Sequence, residues 1–161
     1  AKSAQPESKY YSEHGLTCLS WNDCQFEAPR LAVGGYSRRA IVYKIEGSTL
    51  VEECILGQHI NALSDIAWAP DMGRSFHLIA TASRESNFKI HTLKRLENGG
   101  IEYQSSEVIE SPSRTTIWRL SWNATGTVLA ASGEDGSISL WRKNFSGSWI
   151  NVQNIPSDNK M

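Results

Sequence analysis

Several features that would identify other classes of protein are missing from this sequence of 161 residues. No apolar run approaches the roughly 20 residues that a helix needs to span a bilayer. The first fifteen residues, AKSAQPESKYYSEHG, lack the hydrophobic segment of a signal peptide. Neither sign of charge dominates, because 16 Lys and Arg residues balance 17 Asp and Glu residues. This balance argues against nucleic acid or an anionic membrane as the main partner, and the composition is typical of a globular domain.

Cysteines are few, and their arrangement does not indicate a disulfide framework. Cys18, Cys24 and Cys54 are an odd number at unrelated spacings, whereas disulfide-rich secreted domains usually carry an even set. We therefore expect reduced thiols, as in a cytosolic or nuclear compartment. His14 and His59 do not complete a zinc site with them, because none of these residues has the tight paired spacing of zinc ligands. The sequence thus predicts no metal and no cofactor.

A repeated pattern of short strands organises the chain into three units. Three segments, TCLSW, LSDIAW and WRLSW, end in Trp21, Trp68 and Trp122, and each is followed by a turn and three more strand-like segments. A unit every 47 to 54 residues is typical of propeller blades, and sustained helical periodicity is lacking. We predict an all-β fold with four short strands in each unit. The predicted blades span about residues 17–56, 57–109 and 115–155, after a flexible segment 1–16 and before a tail 156–161.

We expect the blades to pack face to face through their apolar strand residues. Burial between blades is predicted for most of nine positions, namely Leu31, Val33, Ile41, Ile66, Leu78, Ile79, Leu129, Ile138 and Leu140.

The most regular unit is LAASGEDGSISLW, which runs from Leu129 to Trp141. Asp135 and Gly136 predict a tight hairpin turn, because glycine tolerates the backbone angles that such a turn requires. The Asp carboxylate can accept hydrogen bonds from nearby backbone N–H groups, so we expect it to be buried and Asp135→Ala to destabilise the blade. Trp141 is expected to bury its rings between blades, with its indole N–H bonded to one acceptor. This spacing indicates packing rather than chemistry.

The same segment resembles the signature of a WD repeat. In that family, an Asp in the hairpin turn, a Ser or Thr in the second strand, a His before the first strand and a third-strand Trp form a structural hydrogen-bonded set. The resemblance implies this role for Asp135, Ser132 and Trp141 in the third unit, which has no matching His. His59, in the lead-in GQHINALSDIAW of the middle unit, has the position of the family's histidine.

The first two units depart from the WD pattern. The middle unit has Glu85 at the turn position and His91 at the position of the third-strand ring. The first unit has Ser37 and Tyr43 at these two positions and is the weaker match.

Two longer stretches are similar to a narrower family. WAPDMGRSFHLIATAS and WRLSWNATGTVLAASGEDGSISLWRKNFSGSW resemble the Seh-type nucleoporins, six-bladed WD-repeat propellers of the Y-shaped scaffold complex in the nuclear pore. The resemblance covers residues 17–155 and implies that the chain corresponds to the C-terminal half of an open six-bladed propeller. The Sec-type propeller of the coat on ER-derived vesicles is the alternative within the family.

The resemblance also implies a function. We expect a non-enzymatic scaffold subunit at the nuclear envelope, within a large complex that includes other nuclear pore scaffold subunits. Its implied partner is an α-solenoid nucleoporin that donates a blade in trans and so completes the propeller. The family also serves in a TOR-regulating nutrient-signalling complex at the vacuolar or lysosomal membrane, and that role stays open.

Three aromatic residues near the end of the chain are candidates for a partner contact, namely Trp118, Phe145 and Trp149. The competing interpretation of Trp149 is that it packs against Phe145 within one hairpin. An enzyme is the remaining hypothesis, and a propeller hydrolase would need acids or metal ligands at equivalent positions of several blades. The inner-strand segments CLSW, DIAW and RLSW supply only one Asp and one Arg, so we predict no catalytic residue.

Overall fold

The structure is a computed structural model that describes residues 14–22 and 24–157. These residues form twelve strands in three four-stranded antiparallel sheets, which confirms the predicted all-β class and the three four-stranded blades. The described part of the chain contains no helix, and therefore none that could cross a membrane. The strands are β1 (Leu16–Trp21), β2 (Arg30–Gly35), β3 (Ala40–Glu46) and β4 (Thr49–Ile55) in the first blade, β5 (Leu63–Trp68), β6 (Phe76–Ser83), β7 (Asn87–Arg95) and β8 (Ile101–Glu110) in the second, and β9 (Ile117–Trp122), β10 (Val128–Gly133), β11 (Ile138–Lys143) and β12 (Trp149–Ile155) in the third.

The ends of the chain are only partly covered by these ranges. Most of the N-terminal segment that we predict to be flexible, residues 1–13, lies outside the described residues, and the described part begins just before β1. Residues 158–161 of the predicted tail also lie outside them.

Strands follow one another in chain order across every sheet, so each pair of neighbours is joined by a hairpin. The turn between β10 and β11 shows how the sequence specifies this connection. Gly136 has a φ of 76°, which favours glycine, and its N–H donates to the Gly133 carbonyl at 3.1 Å. The acidic-glycine turn predicted from the sequence therefore lies between the second and third strands of its blade.

Side chains alternate between the two faces of each blade, and the register determines which residues share a face. The second and third strands pair in the same way in all three blades, and the equivalent pairs are Leu31 with Tyr43, Ile79 with His91, and Leu129 with Trp141. We name the face that carries these pairs the leading face of its blade, and the opposite side the trailing face.

The apolar core lies in two layers between consecutive blades. In one layer, Val42 on the trailing face of the first blade belongs to the same cluster as Ile79 on the leading face of the second. In the other, Phe88 on the trailing face of the second blade meets Trp141 of the third, with ring centroids 5.7 Å apart in an edge-to-face arrangement. The blades therefore stack in chain order, trailing face on leading face.

Most of the nine strand residues predicted to be buried are buried. The exceptions are half-buried Leu31, on the leading face of the first blade, and Leu140 and Ile138, on the trailing face of the third. These are the two outermost blade faces. Of the six buried residues, Ile66, Leu78, Ile79 and Leu129 lie between described blades as predicted, whereas Val33 and Ile41 are buried on the leading face of the first blade, in a separate cluster with Tyr43.

Candidate functional site

A buried hydrogen-bonded set forms around Thr81 in the second blade. The Thr81 hydroxyl lies 2.8 Å from Nε2 of His59 and 2.8 Å from Nε2 of His91. A hydroxyl carries a single proton, so it donates to one imidazole and accepts from the other. His91 thus occupies the place that a tryptophan has in the WD pattern. Thr81 supplies the second-strand hydroxyl, and its place on the face of Ile79 and His91 is the sequence signal for it.

Glu85 completes this set at the turn of the same blade. Its Oε1 atom accepts hydrogen bonds from the backbone N–H of Ile60 at 2.8 Å, from that of Asn61 at 3.1 Å and from the Ser83 hydroxyl at 2.6 Å. Burial alone would raise the pKa of Glu85, but these hydrogen bonds hold the pKa below its usual value. The carboxylate therefore stays charged and fixes the loop that carries His59.

Both imidazoles of the set are held neutral. Burial, with a smaller contribution from the nearby Lys89 charge, lowers the pKa of His59 to about 4. Burial likewise lowers the pKa of His91 to about 3, and His59 and Lys89 add to the shift. Because both rings are buried away from any open surface, the set can close and stiffen the blade but cannot meet a substrate.

In the third blade, the indole N–H of the third-strand tryptophan has a hydroxyl partner from the third strand rather than from the second. Trp141 is buried, and its indole N–H donates to the Ser139 hydroxyl at 2.9 Å. Ser139, not the predicted Ser132, therefore supplies the hydroxyl. In the register of this blade Ala131 stands where Thr81 stands in the second, so Ser132 is one residue out of phase and lies on the trailing face. Ser139 precedes Trp141 by two residues, a same-face spacing that could have indicated it from the sequence.

Asp135 lies in the turn, but it is not the buried carboxylate that we predict from the sequence. It is exposed and accepts hydrogen bonds from the backbone N–H of Ser137 at 3.0 Å and from the Ser137 hydroxyl at 2.7 Å. These hydrogen bonds lower the pKa of Asp135. The structure thus separates the four predicted residues. His59 acts within the second blade, Trp141 bonds Ser139, Ser132 lies on the trailing face, and Asp135 bonds its own turn.

The two turn carboxylates give a direct test of this assignment. We expect Glu85→Ala to lower the free energy of unfolding by about 1–3 kcal/mol, because two backbone amides and one hydroxyl lose their acceptor. Asp135→Ala should have a clearly smaller effect, since water can replace an exposed acceptor. Urea-induced unfolding of both variants beside the unchanged chain measures the difference. Equal losses in the two variants would contradict the assignment.

The three aromatic candidates for a partner contact have different surroundings. Trp149 is half-buried and packs edge-to-face against Trp122, with centroids 5.6 Å apart, while the Lys143 ammonium lies 5.7 Å from its ring centroid. Phe145 is fully exposed in the turn before β12, so the interpretation that Trp149 packs against it is wrong. Trp118, in the inner strand β9, is 42% exposed. Trp118 and Phe145 are therefore open to a partner, whereas Trp149 belongs to the junction between the second and third blades.

The exposure of three equivalent tryptophans shows which leading faces are covered by another described blade. The last residue of the inner strand is Trp21, Trp68 or Trp122 in the three blades, and its side chain is on the leading face. Trp68 is 6% exposed and Trp122 is half-buried, because each meets the blade before it. Trp21 is 51% exposed. We name the leading face of the first blade, with Trp21, Leu19 and Leu31, the outer leading face.

The trailing face of the third blade is the second uncovered face. Ile138, Ile150 and Ile155 are exposed on it, and Leu140 is half-buried. In the second blade, residues of the same trailing side are fully buried against the third. We name this surface the outer trailing face. Exposed apolar surface of this kind is typical of an interaction site.

The cysteines do not form a reactive or metal-binding centre. Within the residues that the structure describes, no group of three His, Cys, Asp or Glu side chains is placed to hold a metal ion. All three cysteines are free thiols, and burial raises the pKa of Cys18 to about 11 and that of Cys54 to about 12. The Cys18 and Cys54 thiols are protonated at neutral pH and contribute to packing between the first two blades.

Comparison with known proteins identifies the repeat and its relatives. The family described as WD domain, G-beta repeat matches residues 105–142. Nucleoporin SEH1-B of Xenopus laevis is 33% identical over 150 residues, 83% of this chain and 41% of that protein. Nucleoporin SEH1 of Homo sapiens is 32% identical over the same shares. The resemblance to the Seh-type nucleoporins is therefore confirmed, and the chain spans about two fifths of the length of these curated relatives.

A solved structure shows the same fold. The crystal structure of Sqt1 from Saccharomyces cerevisiae superposes with a TM-score of 0.65, at 14% identity, over 88% of this chain and 35% of that one. At this identity the likeness concerns the fold alone.

Proposed function

Because this chain is a WD-repeat propeller segment related to the nucleoporins named SEH1, we propose that it serves as a structural scaffold that binds other proteins and is not an enzyme. The observation that carries the proposal is the pair of uncovered blade faces. Trp21 and Ile138 are exposed there, whereas the equivalent Trp68 and Phe88 of the second blade are buried. Such faces gain stability when another sheet covers them, because apolar surface is removed from water.

The proposal also names the complex to which the chain belongs and its direct partner. The relatives are named as nucleoporins, so we place the chain in the Y-shaped scaffold complex of the nuclear pore, beside other scaffold subunits. Its direct partner is an α-solenoid nucleoporin that donates strands in trans and completes the propeller. Main-chain hydrogen bonds and alternating side chains give such strand addition its affinity and register.

The outer trailing face provides the test of this function. A glutamate introduced there by Ile150→Glu would have to be desolvated when the partner covers it, and we expect binding to fall at least about tenfold. Val108→Glu is the matched control, because Val108 is also an exposed apolar residue of an outer strand, but in the second blade. The native protein that contains this chain is tagged and purified from cells, and mass spectrometry identifies its partners.

The outcomes separate the hypotheses. Recovery of an α-solenoid nucleoporin, with binding lost in Ile150→Glu and kept in Val108→Glu, supports the proposal. Full-strength binding to a partner from which the donated strands have been deleted would contradict completion in trans. Recovery of TOR-regulating or vesicle-coat subunits in place of pore subunits would assign the chain to those assemblies.

A further inference from the structure

Side chains of the inner strands bond each blade to the one that follows it. The Thr17 hydroxyl of β1 donates to the Leu63 carbonyl of β5 at 2.6 Å, and the Ser64 hydroxyl of β5 donates to the Ile117 carbonyl of β9 at 2.8 Å. Thr17 and Ser64 are both the second residue of their strand. The two junctions therefore use the same link, from a hydroxyl to the first carbonyl of the next inner strand.

In a second kind of link, the side chain is the acceptor and a backbone N–H of the next blade is the donor. The Asp65 carboxylate accepts the backbone N–H of Leu120 in the next blade at 2.8 Å. At the first junction the Ser20 hydroxyl accepts the backbone N–H of Trp68 at 2.9 Å. In both junctions, then, the trailing side of a blade offers an acceptor to an amide of the blade that covers it.

The third blade keeps a serine, Ser121, where Ser20 stands in the first blade, but it differs from the second blade at two other positions. Trp118 stands where Ser64 stands in the second blade, and Arg119 stands where Asp65 stands. An arginine offers five N–H donors and no acceptor. Another inner strand placed as the third blade is on the second would bring its backbone N–H against a guanidinium, where the second blade offers a carboxylate. The outer trailing face therefore favours an occupant that presents an acceptor at this point.

The charges on this face agree with that requirement. Arg119 and Arg142 are the only charged residues among the positions that the strand register places on the outer trailing face. The Arg119 side chain is 78% exposed, and its Nη1 atom is 3.9 Å from Asp65 Oδ1. A contact this long and this exposed contributes little. Arg119 is thus available to a carboxylate from another chain.

We propose that the outer trailing face binds a partner β-strand that carries an Asp or Glu side chain against Arg119, flanked by apolar residues that cover Ile138 and Ile150. This inference rests on the proposed function and adds the chemistry of the partner's strand. Trp118 borders the same strand position, and its exposed ring packs on the partner beside the ion pair.

Charge reversal tests the assignment on the purified complex. The native protein and the partner that co-purifies with it are titrated against each other at about 0.1 M salt. We expect Arg119→Glu to weaken binding at least about 30-fold and Arg119→Gln to weaken it less, because only reversal places two carboxylates together. A partner variant whose facing acidic residue is changed to Lys should restore binding to Arg119→Glu. Arg84→Glu, at an exposed loop position of the second blade, is the control that should bind normally.

A photo-crosslinking side chain at position 118 identifies the occupant directly. We expect the captured peptide to belong to the partner and to contain Asp or Glu. Unchanged binding by Arg119→Glu together with loss of binding in Ile150→Glu would overturn the carboxylate assignment and leave the proposed function standing. Unchanged binding in both variants would overturn the two together. Capture of a peptide from a second copy of this chain would also overturn the inference.

Discussion

Lowering the pH from 8 to 5 should reduce the free energy of unfolding of this chain by about 4 kcal/mol. The cause is the buried pair His59 and His91, whose pKa values lie at about 4 and about 3 in the folded state. In the unfolded chain both histidines titrate near the usual value of about 6.5. The unfolded state therefore gains protons that the folded state cannot bind. Stability is complete above about pH 6.5 and is lost as the pH falls toward the folded values, at about 2 kcal/mol for each ring by pH 5.

Urea-induced unfolding at pH 8, 7, 6 and 5 measures this loss. Lys89 strengthens the effect and Glu85, whose Oε1 lies 3.8 Å from His59 Nδ1, opposes it. Burial also lowers the pKa of His77, so that histidine acts in the same direction. The control is His91→Phe, which keeps a ring but removes one titrating group. The pH-dependent loss at pH 5 should fall by about 2 kcal/mol, the share of one ring, whatever the absolute stability of the variant. An equal pH dependence in both chains would rule out His91 as a source.

Replacing Arg30 with Met should cost about 3–5 kcal/mol of stability. Arg30 is fully buried, and its guanidinium donates to Glu53 through Nε at 2.6 Å and Nη2 at 3.1 Å, and to Glu27 through Nη1 at 3.0 Å. Nη2 also donates to the carbonyl of Gly99 at 2.6 Å, which ties the first blade to the second. The variant leaves the largely buried Glu53 carboxylate without its counter-ion, whereas Glu27 keeps Arg95 at 2.7 Å. Such an uncompensated buried charge is strongly destabilising.

The same unfolding measurement, at pH 8, checks this prediction. Lys44→Met removes an exposed pair with Glu46 and should change the free energy by less than about 0.5 kcal/mol. Adding Glu53→Gln to Arg30→Met should recover part of the loss, because the carboxylate left without a counter-ion is removed. A loss in Arg30→Met no larger than that in Lys44→Met would show that the network contributes little.

Local patterns in the sequence predict much of this fold. The three inner tryptophans, the alternating apolar residues and the turn at Gly136 each depend on neighbours a few residues away, and the strands form where these patterns indicate them. The burial of Trp141 follows from the same alternation. These predictions succeed because a strand's two faces are determined by a period of two residues.

The site was harder to predict, because it depends on register and on distant contacts. Ser132 and Ser139 are both serines near Trp141, and only the pairing of β10 with β11 shows that Ser139 shares its face. Arg30 meets Gly99 across 69 positions of sequence, a contact that no local pattern encodes. The significance of an arginine at position 119, where the second blade has Asp65, depends on the bond from Asp65 to the next blade, which no local pattern encodes.

The difference between the two outer faces limits the symmetry of an assembly. The side chains of Thr17, Ser64 and Asp65 each bond to the blade that follows, so the two outer faces are unlike. A two-fold pairing would place the same surface against itself, and on the outer trailing face it would bring Arg119 and Arg142 of one chain toward those of the other. Continuing the stack of blades in the manner of the two described junctions places a leading surface on a trailing one, which is a heterologous contact. A ring built in this way has one direction, because every blade presents its trailing face to the next.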